Sequence, residues 1–102
     1  MIKARTTVAT PAASKYLQQL CKHFAHKAPA TFDTKQGRVE FPFGLCELEA
    51  RDNELAISCD SPDDLSMSKM QGVVGGHLER FAWREKLQVR WDQVHWDSGS
   101  DA

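Results

Sequence analysis

The 102-residue sequence lacks several features that would assign it to a class of protein at once. No apolar run approaches the roughly 20 residues that a membrane-spanning helix needs. The opening residues, MIKARTTVAT, include basic side chains without an apolar stretch behind them, so we predict no secretory signal. These absences predict a cytoplasmic protein that does not enter a membrane.

The sequence also lacks an excess of charge of either sign. It has 13 Lys and Arg against 14 Asp and Glu, which gives a formal net charge of −1. Because nucleic-acid-binding domains usually have a basic excess, we predict no nucleic-acid partner. The length suits one hydrophobic core, and we place a single domain at residues 1–92. A flexible polar tail is predicted over residues 93–102.

Cysteine is scarce, and its spacing argues against a metal site. Cys21, Cys46 and Cys59 are isolated from one another, whereas structural zinc ligands normally come as close pairs. Each takes an inward position in its predicted element, so we predict three reduced core thiols and no metal. No Ser-His-Asp arrangement, phosphate-binding loop or dinucleotide fingerprint is present, and the cofactor stays unknown.

What the sequence does contain is hydrophobic periodicity. Apolar residues alternate over residues 2–9, which predicts a strand, and then recur at helical spacing. Thr10 as N-cap, Pro11 at the first helical position and Pro29 as terminator bound the predicted first helix. Alternation over residues 30–60 then predicts three strands and a short fourth.

A second helix and a last strand complete the predicted fold. Ser61 is the predicted N-cap of this helix, Asp64 takes the capping-box position, and residues 87–91 alternate as a closing strand. The sum is an α+β two-layer sandwich in the order β-α-β(3–4)-α-β. We expect an antiparallel sheet of five or six strands with both helices on one face. The other face has charges of both signs and no aromatic, so it should be solvated or form a dimer surface.

Three segments resemble a known bacterial family. YLQQLCKHFAHK (16–27), FPFGLCELEA (41–50) and HLERFAWRE (77–85) with LQVRW (87–91) look like domain-of-unknown-function family 2218, a group of small proteins. The resemblance spans roughly residues 4–91. It implies no catalytic residues, because the family has no established activity. Members are often encoded beside siderophore and iron-uptake genes, which implies a link to iron metabolism.

The segment HLERFAWRE has two interpretations. His77 lies near the centre of the apolar stripe, and Arg80 and Arg84 lie one turn apart on its flank. A core histidine donating to a backbone carbonyl, with arginines that complement the helix dipole, would explain all three. Alternatively, the arginines form an anion site, because the guanidinium fork suits carboxylate or phosphate.

The first helix offers further polar side chains to such a site. Tyr16, His23 and Lys27 lie on its flank, whereas His26 should face water. His23 and His26 lack a carboxylate or cysteine neighbour, which argues against zinc. We predict a shallow groove for a small anion, such as a carboxylate- or catecholate-bearing iron chelate. Its lining residues are His77, Arg80, Arg84, His23, Tyr16 and Lys27.

Three classes of function are open from the sequence. The first is a small-ligand-binding or accessory module in iron or siderophore metabolism. The second is a protein–protein interaction domain, either monomeric or dimerising to a homodimer. The third, which we favour least, is an enzyme that uses His77 as a general base.

Overall fold

Residues 2–95, the part of the chain that the computed structural model describes, form two helices and six strands. In chain order the elements are β1 (Ile2–Ala9), α1 (Ala13–Phe24), β2 (Ala30–Phe32), β3 (Gln36–Phe41), β4 (Gly44–Ala50), β5 (Glu54–Ser61), α2 (Asp64–Phe81) and β6 (Asp92–His95). This order contains four strands between the helices and confirms the predicted α+β class.

The sheet has the strand order β2-β3-β4-β5-β1-β6, and every neighbouring pair is antiparallel. Alternate residues of β1 and β5 are buried, as are Val39 of β3 and Cys46 and Leu48 of β4. The strand register places these side chains on one face, and both helices pack against that face. The predicted two-layer sandwich is therefore confirmed.

Helix α1 is shorter than the sequence predicts. It begins at Ala13, three residues after Thr10, and its N-cap residue Ala12 makes no side-chain cap. Thr10 therefore lies before the helix. Its hydroxyl accepts from the Ala12 amide at 3.1 Å and donates to the carboxylate of Glu85. The helix ends at Phe24, five residues before Pro29, and residues 25–27 form turns. His26 and Lys27 therefore lie beyond the helix, not in its last turn as predicted.

Helix α2 also differs at both ends. Its N-cap is Asp63, whose carboxylate accepts from the Ser66 amide at 2.8 Å, and not Ser61 as predicted. The Ser61 hydroxyl instead donates to the Phe43 carbonyl at 2.9 Å. The helix ends at Phe81, so Arg84 lies in the turns that follow. Residues in the described part of the chain form no helix long and apolar enough to cross a membrane.

The predicted last strand at residues 87–91 is wrong. This segment is not part of the sheet; it packs against α2, and β6 follows it. A methyl group added at the buried Gly75 would lie 3.3 Å from Trp91 Nε1 and 3.5 Å from Val89 Cγ1. Glu79 accepts from the Val89 amide at 3.0 Å, which fixes the segment along the helix. Residues 93–95 of the predicted tail lie in β6, and residues 96–102 lie outside the described residues.

Candidate functional site

His77 lies on the helical layer with its ring half-buried. Its Nδ1 lies 2.6 Å from the Val73 carbonyl oxygen, one turn earlier in α2. A carbonyl can only accept, so Nδ1 carries the proton and donates. In the neutral ring this bond leaves the lone pair on Nε2, the nitrogen that could accept a proton or approach a ligand.

The two helices bring His77 against His23 of α1. Their ring centres are 4.6 Å apart with a tilt of 41°. Tyr16, near the start of α1, contacts Glu85, which follows the end of α2. His23, near the end of α1, contacts His77, which lies about one turn before the end of α2. The helices are therefore antiparallel, and their crossing creates a pair of histidines that are 54 residues apart in the sequence.

Phenylalanine rings contact both histidines, although the His23 side chain stays exposed and His77 is half-buried. Phe81 and Phe24 contact His23 edge-on, with ring centres 5.8 and 5.5 Å away, and Phe24 also contacts His77 at 5.2 Å. Phe41 of the β3–β4 hairpin packs against Phe24 at 5.0 Å. We call His23, His77, Phe24, Phe41 and Phe81 the seam cluster, because they lie where α1, α2 and the hairpin meet.

Positive charge accumulates beside the seam cluster. Desolvation lowers the pKa of His23, and the charges of His77, His26, Lys27 and Arg80 lower this pKa further. Neither Lys27 nor Arg80 forms an ion pair with any carboxylate of residues 2–92. Lys22 and His23 lie in the last turn of α1, where cations complement the helix dipole.

Tyr16 and Glu85 form a separate hydrogen-bonded contact. Glu85 accepts from the Tyr16 hydroxyl and, at 2.8 Å, from the Thr10 hydroxyl. The hydrogen bond to Glu85, followed by burial and the carboxylate charge, raises the pKa of Tyr16 to about 12. No local pattern in the sequence indicates this contact, because Glu85 is 69 residues from Tyr16 and lies in a turn.

Arg84 also has a partner of its own. Its guanidinium carbon lies 5.2 Å from the centre of the Trp83 ring, and 65% of Trp83 is exposed. The six predicted groove residues therefore divide into two groups. His77 contacts His23, and Lys27 and Arg80 act on His23 electrostatically, whereas Tyr16 and Arg84 make their contacts elsewhere.

Comparison with known proteins identifies the family of the chain. A family model described as an uncharacterized protein conserved in bacteria (DUF2218) matches residues 5–92. The chain belongs to the DUF2218 family. The NMR structure of PA4090 from Pseudomonas aeruginosa is similar, with a TM-score of 0.77 and 35% identity over 90% of this chain and 96% of that one. No curated protein matches.

These comparisons confirm the predicted family and fold and add no biochemical activity. The family is described as uncharacterized, and PA4090 is identified by its source alone, so neither indicates a ligand, a metal or a reaction. The link to iron or siderophore metabolism thus stays a prediction. The side chains of this DUF2218 domain are the remaining basis for a function.

A second candidate surface of this DUF2218 domain is the face of the sheet that the helices leave uncovered, which we call the open sheet face. It has a shallow, open depression of about 1010 Å³. One row of neighbouring side chains crosses it through Arg5, Ser58, Glu47 and Arg38, and Arg38 pairs with Glu47 at 3.4 Å. The face combines both charge signs, as the sequence predicts, and lies on the opposite side of the sheet from the seam cluster.

Metal ligands are not grouped in the part of this DUF2218 domain that the structure describes. Within residues 2–92, no three His, Cys, Asp or Glu side chains are placed to hold a metal ion. The His23–His77 pair comes nearest, but its neighbours are the cations Lys27 and Arg80. Two imidazoles among cations suit an anion better than a bare metal ion.

Proposed function

We propose that this domain binds a small aromatic or carboxylate anion at the seam cluster. The observation that carries the proposal is the contact between His23 and His77, whose rings are 4.6 Å apart, and the cations that act on His23 from among the described residues. In this proposal Arg80 and Lys27 attract the anion, and the His and Phe rings contact its apolar part. A cytoplasmic location, expected from the sequence, belongs to the same proposal.

Three physical properties of the cluster support an aromatic anion as the ligand. Arginine donates to carboxylates and catecholates through a planar fork, and such charge-assisted bonds are roughly twice as strong as neutral ones. Aromatic rings pack edge-on or offset against one another, which matches the tilted arrangement around His23. In the neutral ring His77 Nε2 has a lone pair, which can accept a hydrogen bond from a ligand hydroxyl.

The proposal specifies how binding depends on pH. Neutral His23 is favoured in the free protein, because desolvation and nearby cations lower its pKa below 6.5. A bound anion would favour the protonated ring instead. Binding should therefore take up protons, and affinity should increase as the pH falls through the pKa of His23. A metal ion bound by neutral imidazoles would show the opposite dependence.

The test is a titration of the full chain with salicylate and 2,3-dihydroxybenzoate. Calorimetry and the NMR shifts of the backbone amides measure the binding. Benzyl alcohol serves as the neutral aromatic control. We expect the two anions to shift amides around His23 and His77, and Arg80→Gln to weaken binding about tenfold, since a charge-assisted bond contributes at least about 1.4 kcal/mol. The ferric complex of 2,3-dihydroxybenzoate tests the iron-chelate version of the proposal separately.

Arg84→Gln is the matched control. It removes the same charge from the same segment, but Arg84 lies over Trp83 and not beside His23. It should leave binding within about twofold of the original. Equal losses for Arg80→Gln and Arg84→Gln would show that net charge, not the seam cluster, attracts the anion. The proposal fails if neither anion shifts the seam amides at millimolar concentration.

A second candidate function is homodimerisation through the open sheet face. The supporting observation is that one cross-strand row of this face contains side chains of both charge signs. A twofold contact could pair the basic part of that row with the acidic part of a second copy. Sedimentation of the full chain at increasing concentration, with Arg38→Glu as the variant, tests this function. A monomer at all concentrations excludes it.

A further inference from the structure

Three buried thiols from three elements lie close together in the core. Cys46 of β4 and Cys59 of β5 are directly paired across the sheet, and all three cysteines are fully buried. Cys21 of α1 lies above β3, because a methyl group added at Gly37 would be 2.6 Å from Cys21 Sγ. The sequence predicts three separate core cysteines and does not indicate that two of them are partners.

The type of cross-strand pair can be worked out from the β4–β5 turn. Arg51 donates its amide to the Glu54 carbonyl at 2.9 Å, which makes Arg51 and Glu54 a hydrogen-bonded pair. Hydrogen-bonded and non-hydrogen-bonded pairs alternate along an antiparallel ladder. Cys46 and Cys59 are five positions further along the register, an odd number, so they form a non-hydrogen-bonded pair.

This pair type places two cysteines within reach of a covalent bond. The Cα atoms of non-hydrogen-bonded partners are about 4.5 Å apart, and their side chains are closer than in the other pair type. Disulfides span Cα separations of about 4.4–6.8 Å. Neither strand needs to change register for the two sulfurs to bond.

We propose that Cys46 and Cys59 are an oxidative modification site, where a low-molecular-weight disulfide such as oxidised glutathione drives formation of a bond between β4 and β5. One thiolate attacks the glutathione disulfide and releases one glutathione. The second thiolate attacks the mixed disulfide and releases the other. The two cysteines lose two electrons and two protons, and the oxidant becomes two glutathione thiols.

Burial controls the rate of this reaction. A hydrogen bond with Cys59 and burial raise the pKa of the Cys46 thiol well above its ordinary value, and burial raises the pKa of Cys21 to about 11. Since only the thiolate reacts, the closed native state exchanges slowly and oxidation requires transient opening. The pair should stay reduced in a reducing compartment and form the bond only when the oxidised pool rises.

The experiment measures the disulfide equilibrium of the full chain in reduced and oxidised glutathione. Samples are incubated at a urea concentration just below the unfolding midpoint. There, transient opening of the protein exposes the thiols while most molecules are still native. Reduced and pre-oxidised samples must reach the same end point. Free thiols are then alkylated, and intact mass with peptide mapping identifies the linked pair.

We expect a Cys46–Cys59 link that forms at a [GSH]²/[GSSG] ratio at least ~10-fold higher than in the fully unfolded chain, because native pairing preorganises the two thiols. Cys21→Ala should keep this link, and Cys59→Ala should lose it. A ratio equal to that of the unfolded chain would overturn the proposal. A Cys21 link, or a stable glutathione adduct in place of the internal bond, would overturn it too.

Discussion

The contact between Tyr16 and Glu85 allows a direct spectroscopic prediction, because Tyr16 is the one tyrosine in the sequence. Tyrosinate absorption near 295 nm therefore reports a single side chain. In the native protein the pKa of Tyr16 is raised to about 12 from 10.0, chiefly by its hydrogen bond to Glu85. We expect Glu85→Gln to move this pKa back toward 10, since the carboxylate charge is removed.

The same contact should stabilise the fold in a pH-dependent way. The unfolded chain loses the Tyr16 proton near pH 10 and the native chain near pH 12, so this stabilisation is complete below pH 10 and decreases as the pH rises to about 12. Hydrogen bonds to charged groups contribute about 1.5–3 kcal/mol. Because Glu85 is exposed and water can replace its partners, we expect Tyr16→Phe to cost about 1 kcal/mol at neutral pH, near or below the lower end of that range.

The assay combines the alkaline titration with thermal unfolding. For a domain of this size, about 1 kcal/mol corresponds to a melting temperature lower by about 4–8 °C. Near-ultraviolet circular dichroism at each pH shows whether the native fold is still present. If Tyr16 titrates near pH 10 in an intact fold, or if Glu85→Gln changes neither the titration nor the melting temperature, the reasoning is refuted.

Glycine substitutions test how α2 and the β3–β4 hairpin are packed. Gly44 has a φ of +154°, and an added methyl group would be 2.5 Å from the Ser61 hydroxyl, so Gly44→Ala should cost more than about 2 kcal/mol in urea unfolding. A methyl group added at Gly76 would have no atom of the described residues within 4 Å, and Gly76→Ala should gain up to about 1 kcal/mol of helix propensity. Gly75→Leu should instead cost about 1–3 kcal/mol, because Gly75 packs against Trp91. Equal changes in the free energy of unfolding at Gly75 and Gly76 would contradict the packing described for residues 87–91.

Alternating polarity predicted the sheet well because one face is covered by helices and the other stays in water. Strand β1 follows this alternation along its whole length. Residues 87–91 alternate in the same way but lie against α2, because Gly75 leaves room for them there. Alternation indicates which side chains are buried in an extended segment, not whether the segment hydrogen-bonds to a sheet.

The helix ends and the seam cluster depend on contacts that are distant in the sequence. Thr10 looks like an N-cap, but its hydroxyl donates to Glu85, 75 residues away. His77 could be placed on the buried stripe from helical spacing alone. Its contact with His23 requires the crossing of two antiparallel helices at one particular position, which neither helix specifies by itself.

The measurement that tests the central claim most directly is the pKa of His23 with and without 2,3-dihydroxybenzoate, from the NMR titration of the imidazole. In the free protein this pKa should lie below 6.5, because desolvation and the neighbouring cations disfavour the charged ring. Saturation with the anion should raise it, and Arg84→Gln should leave that increase intact. A pKa of His23 that stays the same when the anion is present would contradict an anion site at the seam cluster.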